Sequence, residues 1–346
     1  GIVDRFEAAG LQCFGPRAAG AQLEGSKDFT KAFLTRHGIP TAAYRTFTDF
    51  AAARDYARTR TPPIVIKADG LAAGKGVTVA PDEAAARAAL EEIFVAERFG
   101  PSTAVVEEFL EGDEVSLLAL CDGEQAVPLA SARDFKRIGD GDTGPNTGGM
   151  GVFSPIDEID EERARELCAQ VHQPVLDTLR AQGIEFRGVL YAGLMLTDDG
   201  VKVLEFNTRF GDPETQAVLA LLETPLGSLL NAAATGTLDT IGALQWTDGS
   251  AVTVVVAAEN YPGRPRVGDV ITGSETAGVL HAGTTRRDDG AVVSSGGRVL
   301  SVVGTGADLS AAREAAYRVL SGIGLPGGHF RSDIGLAAAE GRIALP

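Results

Sequence analysis

The segment 63–77, PIVIKADGLAAGKGV, has the residue types needed to bind phosphate groups. Its apolar first half predicts a strand that reaches Lys67, followed by a loop in which Lys75 lies between Gly74 and Gly76. Glycines let the backbone approach a phosphate closely, and ammonium groups offset its charge. Because Lys75 is followed by glycine and a second strand, the segment is not a Walker A loop. The alternative is an ordinary hairpin turn with solvated lysines.

The segment 203–216, VLEFNTRFGDPETQ, offers oxygen ligands for a metal ion. Its predicted strand ends in Glu205 and Asn207, which share one face because side chains alternate along a strand. A carboxylate and an amide carbonyl suit Mg²⁺, which phosphate groups would also bind. Arg209 and Asp212 follow in the adjoining loop. The alternative is an edge strand with polar ends.

The segment 133–151, RDFKRIGDGDTGPNTGGMG, concentrates polar and basic residues among glycines. It contains Lys136, Arg137, Asn146 and Thr147. A connection of this length without its own secondary structure is uncommon unless it has a function. The segment is therefore a candidate binding loop, with a mobile surface loop as the alternative.

Two weaker signals lie nearer the N-terminus. The segment 105–116, VVEEFLEGDEVS, is an apolar strand leading into an acidic turn, and Lys27 lies in the stretch EGSKDFTK. Either could belong to an ordinary surface. Only six of the 31 basic residues are lysine, however. A chain that prefers arginine this strongly keeps lysine mainly where a compact ammonium is needed, so each lysine is a candidate for a specific role.

The N-terminal pattern predicts short elements. Residues 1–9 resemble an amphipathic helix that Gly10 ends, and Leu11–Phe14 favours a short strand. One helix and one strand without a sheet to join suggest that the chain begins inside an α/β domain. Next, Ser26 is expected to cap a helix, KDFTKAFLTRH, that Gly38 ends.

Residues 41–112 are predicted to form a small α/β subdomain. Its strands would be TAAYRTF, PIVIKA, VTVA and AVVEEFL, with one helix capped by Thr48 and another over residues 82–98. Beyond it, EVSLLALCD and residues 125–131 are typical of strands in a larger sheet. A glycine-rich loop is expected at 139–151.

The second half of the chain changes character along its length. A long helix is predicted over residues 160–181, followed by a hairpin of RGVLYAGLMLT and VKVLEFN around Asp199 and Gly200. Beyond about residue 250 the pattern is β-rich, with AVTVVVAA, GVLHAGT, AVVSS and RVLSVVG, and one helix over 308–320. This change predicts a separate C-terminal domain.

Composition narrows the possible partners. The chain has 346 residues and a net charge of −16, with 31 basic and 47 acidic residues, which argues against binding to nucleic acid. It contains no apolar run long enough to span a membrane and no signal-peptide pattern at its start. The three cysteines form no CxxC pair and the four histidines are scattered, which predicts a reducing cytoplasm and no zinc site.

Together these motifs resemble those of the ATP-grasp superfamily. Their residue sequences are similar to one family in it, the phosphoribosylamine–glycine ligases (glycinamide ribonucleotide synthetases). The matching stretches cover nearly the whole chain. They are EGSK, IKADGLAAGKGV, EEFLEGDEVS, DTGPNTGGMG, YAGLM, EFNTRFGDPETQ, HAGT and GGRVL. The resemblance implies that ATP drives the joining of glycine to 5-phosphoribosylamine through a glycyl phosphate, in purine synthesis.

The resemblance also implies roles for individual residues. ATP would be bound by Lys27, Lys67, Gly74, Lys75, Gly76, Glu107, Glu108, Phe109, Leu110 and Glu114. In that set the lysines would contact the triphosphate, the backbone of 107–110 the adenine and Glu114 the ribose. Glu205 and Asn207 would hold Mg²⁺ or Mn²⁺. The glycine and ribosylamine end would be lined by Lys136, Arg137, Pro145, Asn146, Thr147, Gly148, Gly149, Arg209 and Asp212.

The fold implied is α/β (α+β), an ATP-grasp fold with a small α/β lid and a β-rich C-terminal domain. Residues 1–26 would be the remnant of an otherwise absent N-terminal α/β domain. Residues 27–250 would form the ATP-grasp domain, with the lid at about 48–112, and residues 251–346 the C-terminal domain. Membrane and nucleic-acid partners are not expected, and the oligomeric state is left open.

Two other functions stay open at this point. The chain could be another ATP-grasp carboxylate–amine ligase, or a truncated, catalytically impaired ATP-binding module. Four retained polar residues, Lys67, Lys75, Glu205 and Asn207, speak against a pure scaffold. A dinucleotide-binding oxidoreductase is disfavoured because no GxGxxG motif opens a helix after a strand.

Overall fold

The computed structural model describes residues 1–71 and 76–342. Three short helices come first, α1 (Ile2–Ala8), α2 (Ala18–Gly25) and α3 (Lys27–Arg36). The hydroxyl of Ser26 accepts a hydrogen bond from the backbone N–H of Phe29 at 3.1 Å, so the predicted cap of α3 is confirmed. Gly10 adopts a positive φ of 74° after α1, where glycine carries no steric penalty.

The predicted strand at Leu11–Phe14 is wrong. These residues form no strand, and the backbone N–H of Leu11 bonds back to the carbonyl of Phe6 at 2.9 Å. The side chain of Leu11 is exposed. Four residues satisfy the apolar pattern of a strand, but a strand also needs a neighbour for its backbone groups, and here the helix end supplies the partner.

The small sheet follows, with its covering helices. Strands β1 (Tyr44–Phe47), β2 (Ile64–Ala68), β3 (Val77–Ala80) and β4 (Ala104–Glu108) pair antiparallel in the order β1-β4-β2-β3. Helices α4 (Phe50–Ala57) and α5 (Glu83–Phe94) pack on it around a core that includes Ile66, Leu90 and Val106. Asp49, not Thr48, caps α4, because its carboxylate accepts from the N–H of Ala52. Helix α5 ends at Phe94, four residues before the predicted end.

Residues 113–154 form six strands of very different length. They are β5 (Asp113–Asp122), β6 (Ala126–Pro128), β7 (Arg133–Asp134), β8 (Arg137–Gly139), β9 (Thr143–Asn146) and β10 (Gly151–Ser154). The predicted loop at 139–151 is therefore only partly a loop, since β8 and β9 form a two-stranded hairpin. Gly141 and Gly144 take positive φ angles of 65° and 78°, which lets the chain reverse within a few residues.

The next region completes the central sheet. Helix α6 (Glu161–Ala181) is followed by β11 (Arg187–Thr197), β12 (Gly200–Asn207), α7 (Glu214–Leu221) and α8 (Leu226–Thr235). The sheet order is β12-β11-β5-β6, and the hairpin predicted around Asp199 and Gly200 joins β11 to β12. The carboxylate of Asp160 caps α6. Leu167, Val171 and Val175 of α6 are buried in the largest core cluster.

The C-terminal strands share a sheet with earlier ones. They are β13 (Ser250–Ala257), β14 (Val279–His281), β15 (Thr284–Arg286), β16 (Val292–Ser294) and β17 (Arg298–Gly306), followed by α9 (Leu309–Leu320) and α10 (Leu336–Ala339). One five-stranded sheet has the order β14-β17-β13-β10-β7. Its buried face contributes Phe153, Val252 and Leu300 to one continuous cluster. The division of the chain into three domains stays a prediction.

Within residues 1–71 and 76–342, no helix is both long enough and apolar enough to cross a membrane.

Candidate functional site

A buried group of three charges lies where the small sheet meets the rest of the chain. The carboxylate of Glu107 is 2.8 Å from the ammonium of Lys31 and 3.1 Å from that of Lys67. Lys67, on β2, also donates to the carbonyl of Leu204 on β12 at 3.1 Å. The small sheet therefore places one predicted phosphate ligand next to the strand that carries the predicted metal ligands.

Lys31 was not predicted as a site residue. Burial lowers the pKa of its ammonium to about 8. The available signal was its position, because it follows Lys27 by four residues on the same helix and residues spaced by four share a helix face. It is also one of only six lysines in the chain.

Lys27 begins α3 and contacts the start of the glycine-rich loop. Its ammonium donates to the carbonyl of Gly70 at 2.8 Å, and its backbone N–H donates to the carboxylate of Asp69 at 2.6 Å. Burial lowers the pKa of the Lys27 ammonium, while the nearby carboxylate of Glu205 opposes that shift. The start of α3, the loop and the end of β12 thus converge.

The far side of the glycine-rich loop is only partly described. Gly76 closes it, since its carbonyl accepts from the N–H of Ala68 at 2.8 Å. Gly74 and Lys75 lie outside the described residues.

The predicted adenine-binding stretch follows β4. The carboxylate of Glu108 accepts from the N–H of Ala43 at 2.9 Å, which ties the end of β4 to the chain before β1. Phe109 is partly exposed and Leu110 is buried. The carboxylate of Glu107 contacts the ammonium groups of Lys31 and Lys67, whereas its backbone lies in β4.

Glu114 and Lys136 form an ion pair. Lys136 also lies 3.6 Å from the carboxylate of Asp134. The resemblance placed Glu114 at the ribose and Lys136 at the acceptor end, and the fold brings the two side chains together at the junction of β5 and β7.

The two candidate metal ligands lie on one face of β12. Glu205 pairs with Gly193 and Asn207 with Tyr191 in the register of β11 and β12. A Cβ added to Gly193 would lie 3.4 Å from the Cγ of Glu205, which is an ordinary van der Waals contact. The amide oxygen of Asn207 accepts from Arg209 at 3.3 Å.

These donors fit a magnesium site completed by phosphates. Over residues 1–71 and 76–342, no three or more His, Cys, Asp or Glu side chains form a metal-binding group. Mg²⁺ in nucleotide sites typically uses one or two protein oxygen ligands, with phosphate oxygens and water as the others. Glu205 and Asn207 provide such a donor pair.

The loop after β12 is held by two residues, Glu24 of the stretch EGSK and Arg298, that were given no role in the sequence analysis. Glu24 of α2 accepts from the guanidinium of Arg209 at 3.1 Å and from the N–H of Thr208 at 2.9 Å. Arg298 of β17 donates to the carbonyls of Gly148 at 2.5 Å and Asp212 at 2.7 Å. Arg298 thus joins the two loops predicted to bind the acceptor substrates. Its only sequence signal was the motif GGRVL.

The loop 145–149 packs against the loop after β12. The N–H of Gly148 donates to the hydroxyl of Tyr261 at 2.9 Å, and the hydroxyl of Thr147 donates to the carbonyl of Lys136 at 2.8 Å. Gly149 has a φ of 107°, and a Cβ there would lie 2.5 Å from Pro213. Glycine is therefore required for this close approach.

The hairpin of β8 and β9 is anchored from the C-terminal side. The guanidinium of Arg331, fully buried, pairs with Asp142 at 2.6 Å and with Asp333 at 2.7 Å. At the other end of the hairpin, the amide of Asn146 donates to the carbonyl of Val77 on β3 at 3.4 Å. Arg137 donates to a hairpin carbonyl, and Pro145 is exposed.

A buried carboxyl pair lies beside these loops. Asp134 of β7 and Glu214 of α7 are hydrogen-bonded to each other, and Tyr191 bonds to Glu214. Burial raises the pKa of Asp134 well above its usual value, and the nearby Glu214 raises it further. Burial likewise raises the pKa of Glu214. The pair therefore retains a proton at pH values where exposed carboxyls have lost theirs. Neither residue was predicted to belong to the site.

Family comparison accounts for both halves of the chain. Residues 25–215 match the ATP-grasp (A) domain of phosphoribosylglycinamide synthetase, and residues 251–337 match its C domain. A curated relative from Mycobacterium bovis, named phosphoribosylamine–glycine ligase, is 56% identical over 100% of this chain and 82% of its own length. The chain belongs to the phosphoribosylamine–glycine ligase family.

Solved structures agree with the membership. The crystal structure of a phosphoribosylamine–glycine ligase from Thermotoga maritima has a TM-score of 0.82 and 37% identity, covering 93% of this chain and 81% of that one. The biotin carboxylase domain of 2-oxoglutarate carboxylase from Hydrogenobacter thermophilus has a TM-score of 0.71 at 15% identity, covering 95% of this chain and 72% of that one. The second likeness concerns the fold alone. The expected ATP-grasp architecture is confirmed by the family match over residues 25–215.

The predicted ATP and metal ligands that the structure describes lie close together in this family member. Lys27, Lys67, Glu205 and Asn207 are brought together by α3, β2 and β12. Of the residues proposed for the acceptor end, the loop 145–149 and the loop that carries Arg209 and Asp212 are joined by Arg298, and Lys136 immediately precedes β8, which begins at Arg137. The ligand roles of all these residues stay predictions.

Proposed function

We propose that this chain is an ATP-dependent ligase that joins glycine to 5-phosphoribosylamine, giving glycinamide ribonucleotide, ADP and phosphate. Membership of a family whose curated relatives are named for that reaction supports the proposal. The structural observation that carries it is the 3.1 Å contact between the Lys67 ammonium and the carbonyl of Leu204, next to Glu205. Phosphoryl transfer needs a cation for the triphosphate and a metal site within reach of each other, and this contact supplies that proximity.

The nucleotide would be bound at the junction of the small sheet and the central sheet. Lys27 and Lys67 would offset the charge of the triphosphate, and the backbone of 107–110 would contact the adenine. Glu114 would contact the ribose. The loop that contains Gly74, Lys75 and Gly76 would cover the phosphates, as the family resemblance implies.

A divalent ion is part of this proposal, with Mg²⁺ as the ion and Mn²⁺ as a substitute. Glu205 and Asn207 would hold it through their carboxylate and amide oxygens. When bound, it would offset the negative charge of the triphosphate as the phosphoryl group is transferred.

The reaction then proceeds in two steps. A carboxylate oxygen of glycine attacks the γ-phosphorus of ATP, and ADP leaves with the electrons of the broken P–O bond. Both reactants are anions, so the lysine ammonium groups lower the barrier by offsetting their charge. The amine of phosphoribosylamine next attacks the acyl carbon of glycyl phosphate. The C–O bond breaks, the amine loses a proton and inorganic phosphate is released.

The acceptor end would be formed by the two loops that Arg298 joins. Lys136, Arg137 and the loop 145–149 would line one side, with Arg209 and Asp212 on the other. Arg209 is the candidate donor to the oxyanion of the tetrahedral intermediate, because its guanidinium carries several N–H groups near the loop surface. Exclusion of water by the covering loop would protect the acyl phosphate. A cytoplasmic location remains a prediction.

The proposal is tested by phosphate release with ATP, Mg²⁺, glycine and freshly made phosphoribosylamine, with each component omitted in turn. Full release is expected only in the complete mixture. Release that needs a different carboxylate or amine would indicate another ATP-grasp ligase. Binding of ATP without release in any mixture would indicate a non-catalytic module.

A further inference from the structure

Lys31 and Lys67 share a single buried carboxylate. The side chains of Lys31 and Glu107 are 3% and 2% exposed, and that of Lys67 is 8% exposed. Two ammonium groups face one carboxylate, so the trio carries one uncompensated positive charge. Such an excess is costly in a buried place unless an anion comes close to it.

The trio connects three elements. Lys31 comes from α3, Glu107 from β4 and Lys67 from β2. The ammonium of Lys31 also donates to the hydroxyl of Thr41 at 2.7 Å, and that hydroxyl donates to the carbonyl of Val203 on β12 at 2.6 Å. Lys31 is thus fixed by contacts on both sides.

The charge of Lys31 determines how far Glu107 balances the charge of Lys67. Without Lys31, the carboxylate of Glu107 would have Lys67 as its one close cation, and the pair would be neutral. A buried carboxylate next to an ammonium weakens the attraction of that ammonium for a phosphate. The weakening is smaller when a second cation also neutralises the carboxylate. Other charged groups act on Lys31 more weakly, including Glu108, and the Tyr44 ring lies 6.0 Å from its ammonium.

We propose that Lys31 is a positioning residue that neutralises Glu107 and so leaves the charge of Lys67 available to the triphosphate. The inference rests on the proposed function in that it takes ATP to be the nucleotide. Lys31 need not touch the nucleotide itself. Its contribution is to the affinity for phosphate groups and not to the affinity for the nucleoside.

The test compares nucleotide binding by calorimetry in wild type, Lys31→Met and the double variant Lys31→Met/Glu107→Gln. Lys31→Met should weaken binding of Mg-ATP about tenfold, within the range found for coupled charged pairs. The affinity for adenosine, measured by competition, should change by less than about twofold, because adenosine has no phosphate and the substitution affects phosphate contacts. The double variant should bind Mg-ATP at least about threefold more tightly than Lys31→Met, because no carboxylate then balances the charge of Lys67.

The control is Lys202→Met, which removes a partly exposed lysine of β12 that lies 3.9 Å from Glu108 and is not part of the trio. Its affinity for Mg-ATP should match that of wild type. Should Lys31→Met not fold, Lys31→Gln keeps a donor for Thr41 and takes its place. Equal losses for ATP and adenosine, no loss at all, or no recovery in the double variant would each overturn the inference. Wild type that does not bind Mg-ATP would instead contradict the proposed function.

Discussion

At the scale of single residues, Glu205 is the clearest candidate for a metal ligand. It lies on β12 opposite Gly193 and on the same face of the strand as Asn207. Its companion Asn207 is also bonded to Arg209, so the metal position would be linked to the acceptor loop. A change at Glu205 should therefore act on the metal requirement first.

Glu205→Gln should raise the Mg²⁺ concentration needed for half-maximal ligation by about tenfold or more, because a neutral amide is a poorer ligand than a carboxylate. The measurement is a Mg²⁺ titration of phosphate release at saturating ATP. Asp199→Asn, which changes an exposed carboxylate in the turn before β12, is the control and should titrate as wild type does. Identical Mg²⁺ titration curves for wild type and Glu205→Gln would show that Glu205 is not a metal ligand.

The buried pair of Asp134 and Glu214 leads to a prediction about pH. The pKa of each is raised in the folded state, so the folded protein binds protons that the unfolded chain releases. The stability from this proton is fully present below the unfolded pKa, which is about 4.5 for glutamate, and is lost as the pH rises through the folded value.

Glu214→Gln should therefore gain stability relative to wild type as the pH rises above about 4.5, because the amide has no proton to lose. For one retained proton the difference in unfolding free energy should change by up to about 1.4 kcal/mol per pH unit. Urea unfolding of both proteins from pH 4 to pH 8 measures it. Curves that stay parallel over this range would show that Glu214 itself does not retain a proton.

At the scale of elements, the proposed acceptor end would depend on how two loops are joined. Arg298 bonds the carbonyls of Gly148 and Asp212, and its guanidinium also lies 3.2 Å from the Asp212 carboxylate. A planar guanidinium can reach these groups together, whereas a single ammonium cannot. Arg298 is partly buried, so the contacts are shielded from solvent.

Arg298→Lys should raise the KM for glycine or phosphoribosylamine about tenfold, because misplacing substrate-binding groups by about 1 Å costs up to 100-fold in rate. The KM for ATP should change less than twofold, since the residues proposed to contact the nucleotide lie on other elements. Arg318→Lys, on the exposed face of α9, is the matched control. A rise confined to the KM for ATP would contradict the proposed position of the acceptor site.

The sequence predicted most of these elements and few of the contacts between them. Apolar alternation and a side-chain cap are local, so strands such as β11 and β12 and the helix capped by Ser26 followed from the sequence. The hairpin of β8 and β9 did not, because glycines usually indicate a loop. Contacts such as that of Arg298 with Gly148, separated by 150 residues, exist only once the fold is formed.

At the scale of the whole molecule, the two family-matched regions are not independent sheets. Strand β10 lies within residues 25–215 and pairs along its length with residues 251–254 of β13, which lie within residues 251–337. The sequence suggested a separate C-terminal part because its pattern changes near residue 250. What it did not indicate is that β10, which follows the loop 145–149, and β17, which begins at Arg298, lie on either side of β13 in that shared sheet.

The shared sheet gives the C-terminal region a place in the site. Arg298 and Arg331 both come from beyond residue 250, and both hold elements predicted to bind substrate. Residues far apart in the chain would thus form one acceptor surface beside the proposed nucleotide site. Glycine activation and amine attack would then occur at that single surface.

The most direct measurement follows oxygen during turnover. Glycine carrying ¹⁸O in both carboxylate positions is supplied with ATP, Mg²⁺ and phosphoribosylamine, and the released phosphate is examined by mass spectrometry. The account predicts one ¹⁸O atom in each phosphate, because the carboxylate oxygen that attacks phosphorus leaves with it, and one in the amide product. Normal product accompanied by unlabelled phosphate would contradict the glycyl phosphate route.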